Sequence, residues 1–160
     1  MSSDATTFTI ADDGTFHAPL LLSYPYKRTM GPTLSRFLVG LREQRIEGTI
    51  GSDGTVFVPP AEFDPTTGAA LDKWKAVADE GTVTTWSWQP TADDTSPLPN
   101  PFAWALITLD GADTPLLHVV DVETPQAIRT GMRVKARWST EPTASIHGIA
   151  AFSPIEGEQQ

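Results

Sequence analysis

Residues 81–88 read G-T-V-T-T-W-S-W, a stretch rich in β-branched and aromatic residues. Such residues favour a strand, because their side chains pack well on a pleated surface. Strict alternation predicts that Val83 lies on the opposite face of this strand from Trp86 and Trp88. Four further segments have the same character, namely 102–109, 116–122, 132–138 and 145–152. Five strands in about seventy residues predict a small closed β-barrel over residues 79–153.

Two connections between the predicted barrel strands have clear turn or loop composition. Residues 89–101 read Q-P-T-A-D-D-T-S-P-L-P-N-P, with four prolines and two adjacent acids. We expect a long loop there that overhangs one mouth of the barrel. Asp110-Gly111 predicts a tight hairpin turn between the second and third strands.

The part of the chain before the barrel begins with a predicted extended arm, residues 1–31, rich in prolines and aromatics. A helix is predicted over residues 32–47, because apolar residues there recur at helical spacing: Leu34, Phe37, Leu38 and Leu41. Pro32 lies in the first turn, where its missing N–H costs nothing. Gly48 is the predicted end of this helix.

Residues 47–68 read E-G-T-I-G-S-D-G-T-V-F-V-P-P-A-E-F-D-P-T-T-G, which has the outline of a rubredoxin-like zinc ribbon. Two glycine-bearing turns flank a short apolar strand and the Pro59-Pro60 step. The chain has no cysteine, which excludes disulfides and Cys-ligated zinc. We therefore predict a degenerate, metal-free module over residues 48–78, called the ribbon below.

A ribbon without metal needs other means to hold its turns. The Asp53 and Asp64 side chains are suited to this, because an Asp can accept backbone N–H bonds in an Asx-turn. A structural zinc contributes on the order of 10 kcal/mol to a small metal domain. We expect packing to replace that energy, with apolar ribbon residues as the candidates: Val56, Val58, Phe63, Leu71 and Trp74.

Composition limits the classes of function. Eleven Lys plus Arg against twenty Asp plus Glu give a formal charge of -9, which repels nucleic acid. We find no basic leader followed by an apolar run and no long uncharged apolar segment, so a cytoplasmic protein with no membrane partner is expected. Residues 154–160 are predicted to form a flexible tail.

No constellation of residues predicts catalysis or metal binding. His118 lies near Asp121, but no G-x-S-x-G elbow accompanies them, so a structural histidine is the favoured interpretation. The acid pairs Asp12-Asp13 and Asp93-Asp94 lie in turn-like contexts and are read as solvated loop acids. Three tryptophans could form a stacking platform for bases, yet the acidic charge favours barrel core or protein interface: Trp86, Trp88 and Trp104.

Four motifs in chain order resemble a known family: V-F-V-P-P, D-E-G-T-V-T-T-W, P-F-A-W-A-L-I-T-L-D-G and T-G-M-R-V-K-A-R-W. With the order helix, ribbon and five-stranded barrel, residues 32–153 are similar to the acyl-CoA-associated zinc-ribbon/OB-fold proteins of domain-of-unknown-function family 35. The resemblance implies a mainly β protein whose barrel is an OB-fold. The family's four zinc cysteines fall on positions that carry none here: Ile50, Asp53, Asp64 and Thr67.

The resemblance also implies a function. Family members associate with thiolase-like enzymes acting on acyl-CoA thioesters, and related modules partner steroid side-chain aldolases and MaoC-like hydratases in actinobacteria. This implies a non-catalytic subunit that stabilises a thiolase-like or lipid-transfer-protein-like enzyme, a steroid side-chain retro-aldolase, and helps shape its CoA channel. The alternatives are a subunit of a MaoC-like enoyl-CoA hydratase, a module that binds CoA or acyl-CoA alone, and, last, a hydrolase using His118.

Two sets of residues are the candidate sites. The predicted partner interface consists of apolar and aromatic residues of the arm, helix and ribbon: Leu20, Leu21, Tyr24, Tyr26, Phe37, Leu41, Phe57 and Phe63. Alternation places Arg133, Lys135 and Arg137 on one strand face, where they could contact the phosphates of a CoA thioester. A solvated strand face is the equal alternative, and no resident cofactor is predicted.

Overall fold

The structure is a computed structural model that describes residues 9–17 and 26–155. Three predicted interface residues, Leu20, Leu21 and Tyr24, lie outside the described residues, as does the segment 156–160. One α-helix is described, α1 (Gly31–Arg42), with short 3-10 turns at Pro125–Ala127 and Ile146–Gly148. The strands, in chain order, are β1 (Thr9–Ile10), β2 (Phe16–His17), β3 (Ile46–Ile50), β4 (Val56–Phe57), β5 (Trp74–Val77), β6 (Glu80–Gln89), β7 (Phe102–Leu109), β8 (Leu116–Val120), β9 (Arg133–Trp138) and β10 (Ile149–Pro154).

The last five strands form a closed barrel in the order β10-β8-β7-β6-β9. All pairs are antiparallel except β8 with β10, which run parallel and close the barrel. Its interior is filled by side chains with almost no exposed surface, including Ile107, Val120, Val134 and Phe152. The prediction of a mainly β protein with a five-stranded barrel is confirmed.

The face assignment along β6 was wrong, because the strand contains a β-bulge. Val83 pairs with Ile107 and Thr85 with Leu106, so Thr84 is an extra residue. A bulge shifts every later side chain to the other face. Trp86 and Trp88 consequently pack, half-buried, against the same core as Val83.

Helix α1 ends earlier than the predicted 32–47. Gln44 has a positive φ of 57°, and the Arg45 N–H donates to the Gly40 carbonyl, which closes the helix and turns the chain into β3. Gly48 is therefore a residue of β3 instead of a helix end. A Cβ at Gly48 would lie 2.5 Å from the Phe57 carbonyl oxygen, so the close approach of β4 requires glycine there.

Between helix and barrel, three short antiparallel strands form a sheet in the order β4-β3-β5. Ile46 of β3 and the helix residues Phe37 and Leu41 belong to the same buried cluster as the barrel interior. The helix, the ribbon and the barrel thus share one hydrophobic core. Within residues 9–17 and 26–155, no helix is long and apolar enough to cross a membrane.

Candidate interaction surface of the ribbon and barrel

Asp64 ties the two turns of the ribbon together. One carboxylate oxygen accepts the Ser52 N–H of the first turn at 2.7 Å. The other accepts the Thr66 and Thr67 N–H groups of the second turn at 2.8 and 3.0 Å. These hydrogen bonds hold the pKa of Asp64 far below its usual range, with the largest contribution from Ser52 and smaller ones from Thr66 and Thr67.

Asp53 also holds the first turn. Its carboxylate accepts the Thr55 N–H at 2.9 Å, and hydrogen bonds to Thr55 lower its pKa. The prediction that Asp53 and Asp64 hold the two turns as Asx-turn residues is confirmed.

The ribbon is joined to the barrel along the open edge of β4. The Asp113 N–H donates to the Val56 carbonyl at 2.9 Å, and its carboxylate accepts the Val56 N–H at 2.8 Å. The Thr114 hydroxyl accepts the Val58 N–H at 2.8 Å and donates to the Val58 carbonyl at 3.1 Å. The β7–β8 connection therefore bonds to the edge of β4 that β3 leaves open and satisfies its backbone groups.

The apolar ribbon residues divide into core and surface. Val56 and Val58 are buried in the shared core, as predicted. Trp74 is half-buried beneath the Arg36 guanidinium, which lies 4.2 Å from the ring centroid, a cation–π contact. Phe63, a candidate for packing against the barrel or a partner, does not pack on the barrel, because 56% of it is exposed.

The outer face of β9 carries three cations, and each is paired with a carboxylate. The Arg133 guanidinium donates a bidentate pair of hydrogen bonds to the Asp110 carboxylate, one of them at 2.7 Å. These bonds lower the pKa of Asp110. Lys135 donates to Glu80 at 2.9 Å. Arg137 lies 2.7 Å from Asp121. The predicted alternation is observed, and an anion on this face would have to compete with those carboxylates.

A shallow groove of about 430 Å³ runs beside Lys135 and Arg137, with Pro154 and Ile155 on its other wall. It is the feature of this face that a ligand could occupy. The groove is apolar along most of its lining, so it offers contact area more than fixed polar groups.

His118 is buried on β8 with the Phe152 ring edge-on at 5.4 Å. Burial lowers its pKa, and its Nδ1 has no hydrogen-bond partner. Asp121, the acid of the conceivable triad, pairs with Arg137 instead. This geometry fits a neutral core histidine and gives no support to nucleophilic catalysis.

The barrel resembles a domain of known proteins. Residues 74–139 match the family model described as "ChsH2, C-terminal OB-fold domain". Over those residues the chain is similar to that OB-fold domain. No curated protein matches this chain.

Two solved structures share the fold over most of its length. A DUF35-family protein of unknown function from Sulfolobus solfataricus superimposes with a TM-score of 0.61 at 20% identity, covering 79% of this chain and 85% of that one. The structure described as "Ltp2-ChsH2(DUF35) aldolase" gives 0.58 at 19% identity, covering 80% of this chain and 98% of that one. At these identities the likeness shows the fold.

The residues at the family's zinc-ligand positions do not fit a zinc ion. Ile50 has no donor atom, and the carboxylate of Asp64 is already occupied by three backbone N–H groups. Asp53 and Thr67 each hold a backbone N–H of their own turn. Across residues 9–17 and 26–155, no group of three or more His, Cys, Asp or Glu side chains could hold a metal.

The predicted interface residues are not equally accessible. Tyr26 and Phe63 are exposed and Phe57 is half-buried. Phe37 and Leu41 were expected to anchor a partner, but both are buried against the chain's own sheet and barrel. The helix pattern shows an apolar stripe and cannot show what covers it, and here the stripe faces inward.

Sequence reasoning missed Asp113 and Thr114, which join ribbon and barrel. They follow a hairpin turn, where Asp and Thr are ordinary residues, and their partners lie more than fifty positions away. A side chain that accepts a bond from a distant strand edge leaves no periodic or motif signal.

Proposed function

We propose that this chain is a non-catalytic accessory subunit of an aldolase complex, in which it binds a thiolase-like acyl-CoA enzyme. The observation that carries the proposal is the match of its fold to 98% of a chain of the Ltp2-ChsH2(DUF35) aldolase, together with the ChsH2-type model over residues 74–139. The substrate we assign to the complex is a steroid side-chain acyl-CoA, and the reaction is retro-aldol cleavage.

The described residues favour a supporting role over catalysis. His118 is enclosed and Asp121 is paired, so no activated nucleophile or base faces solvent there. The ribbon is held by its own turn residues and by the barrel, which leaves the exposed side chains of Tyr26 and Phe63 free for contact. Aromatic residues of this kind are enriched in protein interfaces.

Co-expression with the thiolase-like subunit tests the proposal. We expect the two chains to elute together in size-exclusion chromatography with light scattering, and the complex to cleave the acyl-CoA aldol substrate while this chain alone does not. Two soluble proteins that elute separately would contradict the proposal. A MaoC-like hydratase in the same experiment tests the alternative partner.

Independent CoA binding is a second candidate, favoured by the groove beside Lys135 and Arg137. Calorimetry of the isolated chain with CoA decides it. Heat that disappears in the Arg137→Gln variant supports binding at β9, and no heat at all contradicts it.

A further inference from the structure

Two exposed large apolar side chains of the barrel lie on one outer face. Trp104 on β7 is 39% exposed and Leu117 on β8 is 56% exposed. Trp104 pairs with Val119 and Leu106 pairs with Leu117, so these four side chains point to the same outer face. We call Trp104, Leu106 and Leu117 the β7–β8 face.

This face is ordered and ready for contact. The Trp104 ring stands edge-on to the buried Phe102 ring with centroids 5.5 Å apart. Phe102 and Val119 form a second small cluster outside the barrel interior, and Leu98 of the long 89–101 loop packs on it. The loop is therefore anchored next to the exposed tryptophan, which lowers the entropy lost when a partner binds.

Most charged residues that border the face are acidic. Strands β7 and β8 contain no Asp, Glu, Lys or Arg. The loop 89–101 supplies Asp93 and Asp94, and the 139–148 connection supplies Glu141, with no Lys or Arg in either. OB-folds use the second and third strands, flanked by these two loops, to bind ligands. Arg137 reaches the end of β8, where it pairs with Asp121. A border that is mainly acidic suits neither single-stranded nucleic acid nor a phosphorylated ligand.

We propose that the β7–β8 face is a second docking surface for the thiolase-like subunit, and that the partner meets it with an apolar patch bordered by lysine or arginine side chains. The inference rests on the proposed function and adds a surface to it. This surface is apolar with a mainly acidic border, whereas the outer face of β9 carries Arg133, Lys135 and Arg137. Trp104 is the expected anchor, because tryptophan in a central, desolvated position dominates many interfaces.

The test compares binding of variants to the purified thiolase-like subunit. Trp104→Thr and Leu117→Thr remove apolar contact at exposed strand positions, where threonine is well tolerated. Gln126→Thr, at an exposed position of the β8–β9 connection, is the matched control. We expect Trp104→Thr to raise the Kd about 30-fold, the effect of losing one anchor residue. Gln126→Thr should leave the Kd unchanged.

A charge-reversal variant tests the charge of the partner. Asp94→Lys should slow association severalfold at low ionic strength and much less at high ionic strength, since rim charges act mainly on the association rate. Unchanged circular dichroism and Tm in each variant show that folding is intact.

The outcomes separate the two claims. If wild-type protein binds the subunit and Trp104→Thr binds equally well, the docking surface is wrong while the accessory role stands. If wild-type protein does not bind, the proposed function fails and this inference fails with it. A concentration-dependent homodimer that Trp104→Thr abolishes would assign the face to a second copy and overturn the proposal.

Discussion

The Thr114 hydroxyl is one of the groups that join the ribbon to the barrel, and Thr114→Val tests it with almost no change in side-chain volume. The Thr114 hydroxyl bonds both the N–H and the carbonyl of Val58, whose side chain is fully buried. Valine leaves that N–H without a partner, and an unsatisfied buried donor costs about 1–3 kcal/mol. A protein of this size loses about 2–4 °C of Tm per kcal/mol. We expect the Tm to fall by about 2–12 °C.

Urea unfolding followed by tryptophan fluorescence, with calorimetry for the Tm, measures this change. Thr85→Val is the matched control, since it makes the same substitution on an exposed strand position, and we expect a change within about 0.5 kcal/mol. If Thr114→Val is as stable as Thr85→Val, the Thr114 hydroxyl does not hold the ribbon to the barrel.

Three further predictions concern turns, titration and the helix. Asp64 has a lowered pKa in the folded state, so its stabilising effect is present above its unfolded pKa of about 4 and is lost as the pH falls below that value. Asp64→Asn should therefore lower the Tm at pH 7 and make the Tm depend less on pH below about 4. Parallel curves of Tm against pH for the wild type and the variant would contradict the role of Asp64 in the turns. Burial lowers the pKa of His118, so stability should fall as pH drops below about 6.5, and His118→Gln should remove that slope in Tm measurements between about pH 5 and 7. Leu41→Ala should destabilise the isolated chain by about 2–5 kcal/mol in urea unfolding, because Leu41 is buried, while Leu34→Ala at a 38% exposed position should change the stability little. Equally small effects of the two substitutions would contradict the burial of Leu41.

The barrel was predictable because its strands carry strong local signals. The stretch 102–109 was predicted with the bounds that β7 has in the structure, since alternation and turn residues mark both ends. The bulge at Thr84 was not, because one extra residue leaves composition unchanged and shows only in the pairing with β7.

The candidate sites divide in the same way. Asp64 was found from sequence because an Asx-turn is a local interaction between an aspartate and the residues that follow it. Its bond to Ser52 and the contribution of Thr114 depend on how distant segments meet. Phe37 and Leu41 illustrate the converse, since an apolar helix stripe reads alike whether it covers the chain's own core or a partner.

We expect this ribbon to hold its fold through Asp64 and the barrel instead of through a metal. Elemental analysis of the purified protein, quantified per chain by mass spectrometry, measures this. We predict far less than one zinc per chain in a fully folded sample. Stoichiometric zinc that remains bound after extensive dialysis would show that a metal holds the ribbon.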